Sequence, residues 1–490
     1  MTSVLHLRAC PILLLLATFA TTGTASQHAT ALKKPNAATI ARLQTLLPDL
    51  MHQAVVPGVS MAVIRDGKTY WTHAFGTRNT QTKEPVTDDT TFEAASLSKP
   101  VLAYAALKLV DEGKLDLDKP LSGYVKKPFL EGDERVNKIT ARIVLSHRTG
   151  FPNWRGQKPL TISFTPGERF SYSGEGFVYL AQAVEQISGK PLNQFMTETV
   201  FTPLGMTSSS YVWRADYDAR TATGHNADGE PEEKWKPTEP NPASSLQTTA
   251  KDYARFVGAV LNGVGLKPET LKQMETPAIA VDPDCVTCTN KAPDELSKSV
   301  FWGLGWGIER TPDGDALWHW GDNGVFKCIV IAYPKQKIGV VMFTNSDNGL
   351  SIAQSVITAA VGGEHPAFVW QKTESYDSPS MRFIRAAHDK GVSAAITEFR
   401  QPLDHHDISE GAINRLGYRL LGDRKLADSI RIFQLNVELY PNSSNVYDSL
   451  AEAYANNGNR ELAIQNYKKS LELDTNNQNA IDQLKKLSNK

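Results

Sequence analysis

Apolar and polar positions follow two patterns along the first two thirds of the chain. From residue 57 to 75, β-branched and aromatic residues flank the dipeptide Asp66-Gly67, which predicts a β-hairpin. Apolar residues at helical spacing predict helices at 100–112, around 140–147, at 176–188 and at 250–262. Strand-like runs separated by turn signals follow at 301–310, 316–320, 326–334 and 338–346. This order predicts an α+β fold whose antiparallel sheet is closed by strands distant in the chain.

After residue 365 the pattern changes to a repeat with a spacing of about 34 residues. Small residues, isoleucines and aromatic residues recur at fixed positions: Ala395, Ser429 and Ala463; Ile396, Ile430 and Ile464; Phe399, Phe433 and Tyr467. Leu416-Gly417 and Leu450-Ala451 extend the match in the last two copies. Small residues let helices approach closely, so residues 379–487 are predicted to be all-α and resemble three tetratricopeptide repeats. The first copy is degenerate, and coincidence is the alternative there. Residues 366–378 are the predicted linker.

The N-terminus has the pattern of a secretory signal peptide. Arg8 precedes the apolar run PILLLLATFA, and Gly23 and Ala25 suit cleavage after Ala25. Residues 1–25 are therefore the predicted signal, which implies a periplasmic or secreted protein with no stable membrane span after cleavage. An uncleaved anchor is the alternative, although the apolar run is short for a membrane span.

Three cysteines follow the predicted signal. Cys285 and Cys288 are predicted to close a loop disulfide in an exported protein, with half of a zinc site as the alternative. Cys328 lies in the strand-like run KCIVIAY, which favours a buried core position.

Length, hydrophobic content and net charge limit the number of domains and the kinds of partner. A length of 490 residues with 41% hydrophobic content allows several domains with a large core. The formal net charge of −1 gives no reason to expect nucleic acid or an anionic membrane as a partner.

Candidate chemistry begins with Ser96 and Lys99. If a helix starts at Ser96, the two side chains lie on one face. Pro100 suits a first helical turn, and the apolar stripe that follows would bury the lysine. A desolvated lysine has a lowered pKa, so its neutral amine could accept the serine proton. The alternative is an ordinary N-cap serine with an exposed lysine.

Two later segments offer partners for this pair. Tyr172 lies in a loop bracketed by glycines directly before a predicted helix, and His319 and Gly321 lie where a predicted strand ends. Such residues could transfer a proton to a leaving group and place backbone N–H donors near an oxyanion. Taken singly, Tyr172 could equally be a core aromatic and His319 an ordinary strand residue.

Taken together, the ordered segments resemble the serine β-lactamase and penicillin-binding-protein superfamily, particularly its class C β-lactamase-related branch. The resemblance covers roughly residues 38–365. The matching segments are PGVSMAVIRDGK, FEAASLSKP, ITARIVLSHRTGFP, FTPGERFSYSGEGFVYLAQAVEQISGKPL, PLGM, PASSLQTTAKDYARF and WHWGDNGVF. The resemblance implies a β-lactamase/transpeptidase-like domain, in which an antiparallel sheet is flanked by helices and joined by a helical subdomain. It also implies that the protein needs no cofactor or metal.

The resemblance also implies residue roles. Ser96 would be the acylated nucleophile, Lys99 its base and Tyr172 a shared proton carrier. His319 would stand at the lysine position of the family's strand motif, followed by Trp320 and Gly321 at substrate-binding positions. The oxyanion hole would be the backbone N–H groups of Ser96 and Asp322.

Two positions depart from the family pattern. Gly174 stands where the Tyr-x-Asn motif has an amide side chain that holds the substrate carbonyl. His319 in place of lysine carries less positive charge near neutral pH to bind a substrate carboxylate. Both departures favour esters or small amides and peptides over penicillins.

Other histidines have plainer interpretations. His147 in LSHRTG is placed by the resemblance in a structural turn after a helix. The residue types of the pair His405-His406 would suit a metal site, but the preferred interpretation is a solvated loop between repeats.

The sequence therefore predicts an exported serine hydrolase acting on an ester, a D-amino-acid peptide or amide, or a β-lactam-like substrate. The alternative is a noncatalytic protein that binds peptidoglycan-like peptides through a decayed hydrolase domain. The repeats offer a surface for a protein partner in either case, or they cap or oligomerise the enzyme domain.

Overall fold

The structure is a computed structural model that describes residues 31–281, 298–400 and 408–488. The predicted signal at 1–25, the pair Cys285 and Cys288, and the pair His405-His406 lie outside these described residues.

Eight of the ten strands in the described residues form one antiparallel sheet in the order β2-β1-β10-β9-β8-β7-β6-β5, and β3 pairs with β4 separately. The strands are β1 (Gly58–Arg65), β2 (Lys68–Gly76), β3 (Phe92–Glu93), β4 (Gln247–Thr248), β5 (Ile279–Ala280), β6 (Val300–Trp302), β7 (Gly307–Thr311), β8 (Gly314–Asp322), β9 (Lys327–Tyr333) and β10 (Ile338–Thr344). The predicted α+β class and antiparallel sheet are confirmed.

The first hairpin forms at the predicted turn. β1 and β2 pair up to Arg65↔Lys68, and the two residues between them both have positive φ, 55° at Asp66 and 67° at Gly67. Positive φ at both turn positions matches the twist of an antiparallel hairpin. On its other edge β1 pairs with β10, from Val59↔Thr344 to Ile64↔Gly339, so strands distant in the chain close the sheet.

The described helices before residue 372 are α1 (Ala37–Ala54), α2 (Ser98–Asp111), α3 (Ala141–Leu145), α4 (Gly174–Ser188), α5 (Leu192–Met196), α6 (Ala250–Leu261), α7 (Pro268–Met274), α8 (Ala353–Val361) and α9 (Pro366–Gln371). Among them, α1 and α8 supply one core against the sheet, and α2 and α6 supply the other. Val340 and Met342 of β10 belong to the core shared with α1 and α8. Val341 and Phe343 face the core that contains α2 and α6. Because both faces are covered, β10 is buried along its whole length.

The first half of the predicted linker 366–378 is structured against the sheet. Ala367, Phe368 and Trp370 of α9 are buried in the same core as α1 and α8. The Trp370 ring packs against the stacked rings of Trp318 and Trp320, with its centroid 5.7 Å from each. An aromatic cluster thus packs this segment against the core that contains α1 and α8.

The C-terminal region is all-helical, as predicted. Its helices are α10 (Pro379–Lys390), α11 (Val392–Phe399), α12 (Glu410–Gly422), α13 (Leu426–Leu439), α14 (Ser444–Asn456), α15 (Arg460–Leu473) and α16 (Gln478–Ser488). The aligned small residues Ala395, Ser429 and Ala463 are fully buried. A Cβ atom at Gly417 would lie 2.5 Å from the Phe433 ring, so glycine permits the close approach of α12 and α13. The tetratricopeptide assignment itself stays a prediction.

No helix in the described part of the chain combines the length and apolar character needed to cross a bilayer. Cys328 is buried in β9, as predicted.

Candidate active site

Ser96 and Lys99 meet at the start of α2. A 3₁₀ turn, Ala95–Leu97, carries Ser96 and leads directly into α2 at Ser98, so the α-helix begins two residues before the predicted span 100–112 and two residues after Ser96. The spacing of three positions still brings Lys99 Nζ to 2.9 Å from Ser96 Oγ. Ala95 has a φ of 46°, a left-handed conformation that is unusual for a residue with a Cβ atom and frequent at functional sites.

Burial controls the protonation of Lys99. Its side chain is fully buried and donates to the backbone carbonyl of Ala243 at 3.0 Å. Burial holds the Lys99 pKa well below the usual lysine value. A neutral amine 2.9 Å from a serine hydroxyl can accept its proton as the oxygen attacks.

Tyr172 closes one side of the pair. The centre of its ring lies 4.7 Å from Lys99 Nζ. Burial raises the Tyr172 pKa. The phenol is therefore neutral at physiological pH, and its oxygen has no hydrogen-bond partner among the described residues. A neutral phenol with an unpaired oxygen can pass a proton to a bound group.

His147 supports Tyr172 from behind. Its ring stacks on Tyr172 at a centroid distance of 4.2 Å, and Ser173 N–H donates to its Nδ1 at 2.9 Å. This bond assigns the other nitrogen, Nε2, as the protonated one. Burial and the neighbouring Lys99 lower the His147 pKa well below its usual value, so the ring stays neutral. The sequence placed His147 in a turn, which its φ of 54° bears out, but gave no sign of this contact.

His319 lies on β8 in the same cluster, with its ring 6.1 Å from that of Tyr172. Its Nδ1 lies 2.7 Å from the Trp320 carbonyl oxygen, so Nδ1 donates and Nε2 keeps its lone pair. Burial first, then the neighbouring Lys99, lowers the His319 pKa to about 3. A neutral His319 offers an acceptor rather than a cation, in line with the reduced positive charge inferred from the sequence.

Gly321 brings the end of β8 against the turn that carries Ser96. A Cβ atom at Gly321 would lie 2.6 Å from the Ala94 carbonyl oxygen and 2.3 Å from Cys328 Sγ. Strand β7 pairs with β8 only as far as Gly307↔Trp318, so no described strand pairs with the edge from His319 to Asp322 on that side. An open strand edge beside the nucleophile can bind a substrate backbone. The backbone N–H groups of Ser96 and Asp322 remain the predicted oxyanion hole.

Gly174 begins α4 beside Trp154. Its N–H donates to Asn153 Oδ1 at 3.0 Å, and a Cβ atom would lie 2.7 Å from the Trp154 ring. This position therefore has no room for an amide side chain while Trp154 lies there. Trp154 is exposed, and the centre of its ring lies 5.7 Å from Lys99 Nζ, so Trp154 forms part of the rim of the site. The sequence pattern did not single out this residue.

A buried acid, Glu93, completes the surroundings. Asn323 Nδ2 donates to Glu93 Oε2 at 2.8 Å and to the Ser244 carbonyl at 3.3 Å. One amide thus joins β3, the end of β8 and the loop next to Ala243. Burial raises the Glu93 pKa to about 7, and the Asn323 hydrogen bond opposes that shift.

Comparison with known proteins places this geometry in a family. Protein flp of Staphylococcus aureus (strain MRSA252) is 20% identical over 331 residues, which cover 62% of this chain and 62% of that protein. The chain thus spans about three fifths of the length of that relative. Protein Rv1367c of Mycobacterium tuberculosis (strain ATCC 25618 / H37Rv) is 27% identical over 316 residues, covering 54% of this chain and 77% of its own.

Two solved structures share the fold. The D-alanine carboxypeptidase AmpC from Burkholderia cenocepacia aligns with a TM-score of 0.56 and 22% identity, covering 66% of this chain and 99% of its own. The octameric penicillin-binding protein homologue from Pyrococcus abyssi aligns with a TM-score of 0.55 and 22% identity, covering 71% and 81%. Residues 43–361, well over half of the chain, match the family model described as Beta-lactamase. The chain therefore belongs to the beta-lactamase family, whose serine hydrolase fold carries the Ser96 site.

Proposed function

We propose that the protein is a serine hydrolase that works through an acyl-enzyme on Ser96. The observation that carries this proposal is the 2.9 Å approach of a fully buried Lys99 amine to Ser96 Oγ. Lys99 has no structural ion pair with any described carboxylate, so stability alone gives little reason to bury a lysine at this point.

The proposed reaction has two halves. Ser96 Oγ attacks the substrate carbonyl while Lys99 takes its proton, and the N–H groups of Ser96 and Asp322 stabilise the negative oxygen. Tyr172 then passes a proton to the leaving group as its bond to carbon breaks, and the proton on Lys99 moves to Tyr172, so that both groups are neutral again. In the second half, water activated by Lys99 and Tyr172 attacks the acyl carbon and releases the acid, which regenerates Ser96.

We propose esters and small amides or peptides as substrates in preference to penicillins. A neutral His319 supplies no positive charge for the carboxylate that penicillins carry, and Gly174 supplies no side-chain amide. A missing polar partner in a buried site costs about 1–3 kcal/mol of binding. Export to the periplasm or the medium remains a proposal that rests on the N-terminal sequence pattern.

Turnover of p-nitrophenyl acetate and of benzylpenicillin by the mature protein tests both parts. We expect ester hydrolysis that is lost in Ser96→Ala, and penicillin hydrolysis at least tenfold lower in kcat/KM. Arg431→Gln, an exposed change on α13, is a matched control that should keep both activities. Ester turnover that persists in Ser96→Ala would reject the nucleophile, and faster penicillin turnover would reject the proposed preference.

The alternative is a noncatalytic protein that binds peptides through a decayed hydrolase domain. Gly174 is the observation that favours it, because the amide side chain of the family motif is missing there. A folded protein that binds peptides but neither hydrolyses the ester nor forms an adduct would support this alternative.

A further inference from the structure

A cavity of about 490 Å³ lies between the sheet and the C-terminal helical region. Trp320 and Asp322 of β8 line one side, and Met381 of α10 together with Arg415 and Leu416 of α12 lines another. Ligand sites often have this volume and often lie where two domains meet. We refer to this cavity as the interdomain cleft.

The interdomain cleft shares a wall with the candidate active site. The Trp320 ring lines the cleft, and its centroid lies 5.0 Å from that of Tyr172. Asp322 also lines the cleft, and it directly follows Gly321, which packs against the turn that carries Ser96. A substrate bound along the open edge of β8 would therefore reach the cleft without leaving the protein surface.

The lining has the chemistry of a peptide site. Cationic and anionic side chains occur in equal number, together with uncharged polar residues and an apolar group that includes Leu350, Ile384 and Leu416. A fatty acyl chain would require mainly apolar walls, and a polyanion would require an excess of positive charge. A peptide presents amides, apolar side chains and isolated charges, which match this mixture.

Two of the four cations that line the cleft form ion pairs with carboxylates of the described residues. Lys327 Nζ lies 2.6 Å from Asp322 Oδ1 and 3.0 Å from Asp347 Oδ1, and Arg419 lies 3.4 Å from Asp228. Arg415 is exposed and forms no ion pair with a carboxylate of the described residues. An unpaired guanidinium on the cleft wall can bind a carboxylate through two parallel hydrogen bonds.

We propose that the substrate is a peptide whose leaving-group portion lies in the interdomain cleft, with its C-terminal carboxylate at Arg415. The proposal rests on the proposed acyl-enzyme function. In that mechanism Tyr172 serves the leaving group, and Tyr172 contacts Trp320, so the leaving-group side is the side that faces the cleft.

The reaction on such a peptide balances as an acyl transfer. The Ser96 Oγ–C bond forms and the peptide C–N bond breaks, while the proton taken from Ser96 goes to the departing amine. Water then releases the acyl group as a carboxylic acid, and the free peptide amine leaves through the cleft. The helical region thereby selects peptides by their length and C-terminal charge.

Oligoalanines of two to six residues, in D and L forms and each with a free carboxylate or a C-terminal amide, test the proposal on the full mature chain. We expect kcat/KM to rise at least tenfold with length for the carboxylate peptides of one series, and to fall at least fivefold in the matching amides. Arg415→Gln should remove this carboxylate preference and Arg415→Lys should keep part of it. The control Arg431→Gln should change nothing.

Turnover of p-nitrophenyl acetate tests the hydrolase function separately from the cleft proposal, because this small ester cannot reach the cleft. Ester turnover with no peptide cleavage, no length dependence, or an unchanged carboxylate preference in Arg415→Gln would overturn the cleft proposal and leave the hydrolase standing. Absence of turnover for both the ester and the peptides would overturn the proposed function and the cleft proposal with it.

Discussion

At the scale of residues, the site is a buried cluster of neutral bases and acids rather than an ion pair. Burial lowers the pKa of Lys99, His147 and His319 and raises that of Tyr172, so each group favours its neutral form. A neutral amine can accept a proton and a neutral phenol can donate one, whereas their charged forms cannot. The chemistry of the cluster therefore depends on its burial as much as on its residue types.

The lowered pKa of Lys99 predicts a pH profile. Only the neutral amine can accept the Ser96 proton, so the acylation rate falls as the pH falls through the Lys99 pKa. Since burial lowers that pKa, we expect the midpoint of kcat/KM for p-nitrophenyl acetate to lie well below the pKa of an ordinary lysine, about 10.4. A rate that continues to rise beyond pH 10 would contradict this. Glu93→Gln checks that the midpoint does not come from Glu93, whose pKa is about 7.

His147 predicts a contrast between two substitutions. His147→Phe keeps a ring against Tyr172 but loses the acceptor for Ser173 N–H, whereas His147→Asn keeps a polar side chain and suits positive φ but loses the stack. Because His147 acts by positioning Tyr172, we expect both variants to lower kcat at least tenfold while KM changes less than threefold. Unchanged kcat in two folded variants, checked by circular dichroism, would show that His147 serves stability alone.

At the scale of elements, the site forms where four distant segments meet. The turn before α2 supplies Ser96, the loop before α4 supplies Tyr172, the end of β8 supplies the open edge, and the loop at Ala243 accepts from Lys99. The Asn323 amide links three of these segments through Glu93 and the Ser244 carbonyl. A small shift of one segment would therefore disturb the others.

Glu93 predicts a pH dependence of stability at this junction. Its pKa is about 7 in the folded protein against 4.5 for the unperturbed group, so the folded state binds more protons between these values. The free energy of unfolding should therefore fall as the pH rises from 4.5 to 7, by about 2–3 kcal/mol from this group. Urea unfolding at pH 5 and pH 8 measures it, and Glu93→Gln should remove that part of the change. Equal pH dependence in wild type and variant would contradict the buried acid.

Local sequence patterns predicted most of the helices and strands and the candidate site residues, because the signals for them lie close together in sequence. The Asp66-Gly67 turn, the three-residue spacing of Ser96 and Lys99, and the strand-like runs each depend on neighbours along the chain. The stack of His147 on Tyr172 and the bond from Asn323 to Glu93 join residues 25 and 230 positions apart. Such contacts leave no periodic trace, so the sequence assigned His147 to a turn and passed over Glu93.

At the scale of the whole molecule, the C-terminal helical region lies against the first part of the chain and shares a cavity and an ion pair with it. α9 docks through Trp370 into the same aromatic cluster as Trp318 and Trp320, and α12 faces β8 across the interdomain cleft. The sequence assigned this region a partner-binding, capping or oligomerising role. The closeness of α12 to β8 depends on how the two regions dock, which neither repeat nor motif reveals.

Trp370 predicts how strongly the two regions depend on each other. Its side chain is almost fully buried, so Trp370→Ala leaves a cavity at the junction and should cost about 3–5 kcal/mol of unfolding free energy. Val369→Ala, an exposed neighbour on α9, is the matched control and should cost little. Chemical unfolding measures both, and a loss below about 1 kcal/mol for Trp370→Ala would show that the junction contributes little to stability.

The most direct test of the central claim is intact-mass spectrometry of the mature protein after exposure to a fluorophosphonate. A nucleophilic Ser96 activated by Lys99 predicts one adduct in the wild type, none in Ser96→Ala, and labelling at least a hundredfold slower in Lys99→Met, because a general base accelerates attack by about 10²–10⁴. No adduct on a folded wild-type protein, or equal labelling in Ser96→Ala, would contradict the account.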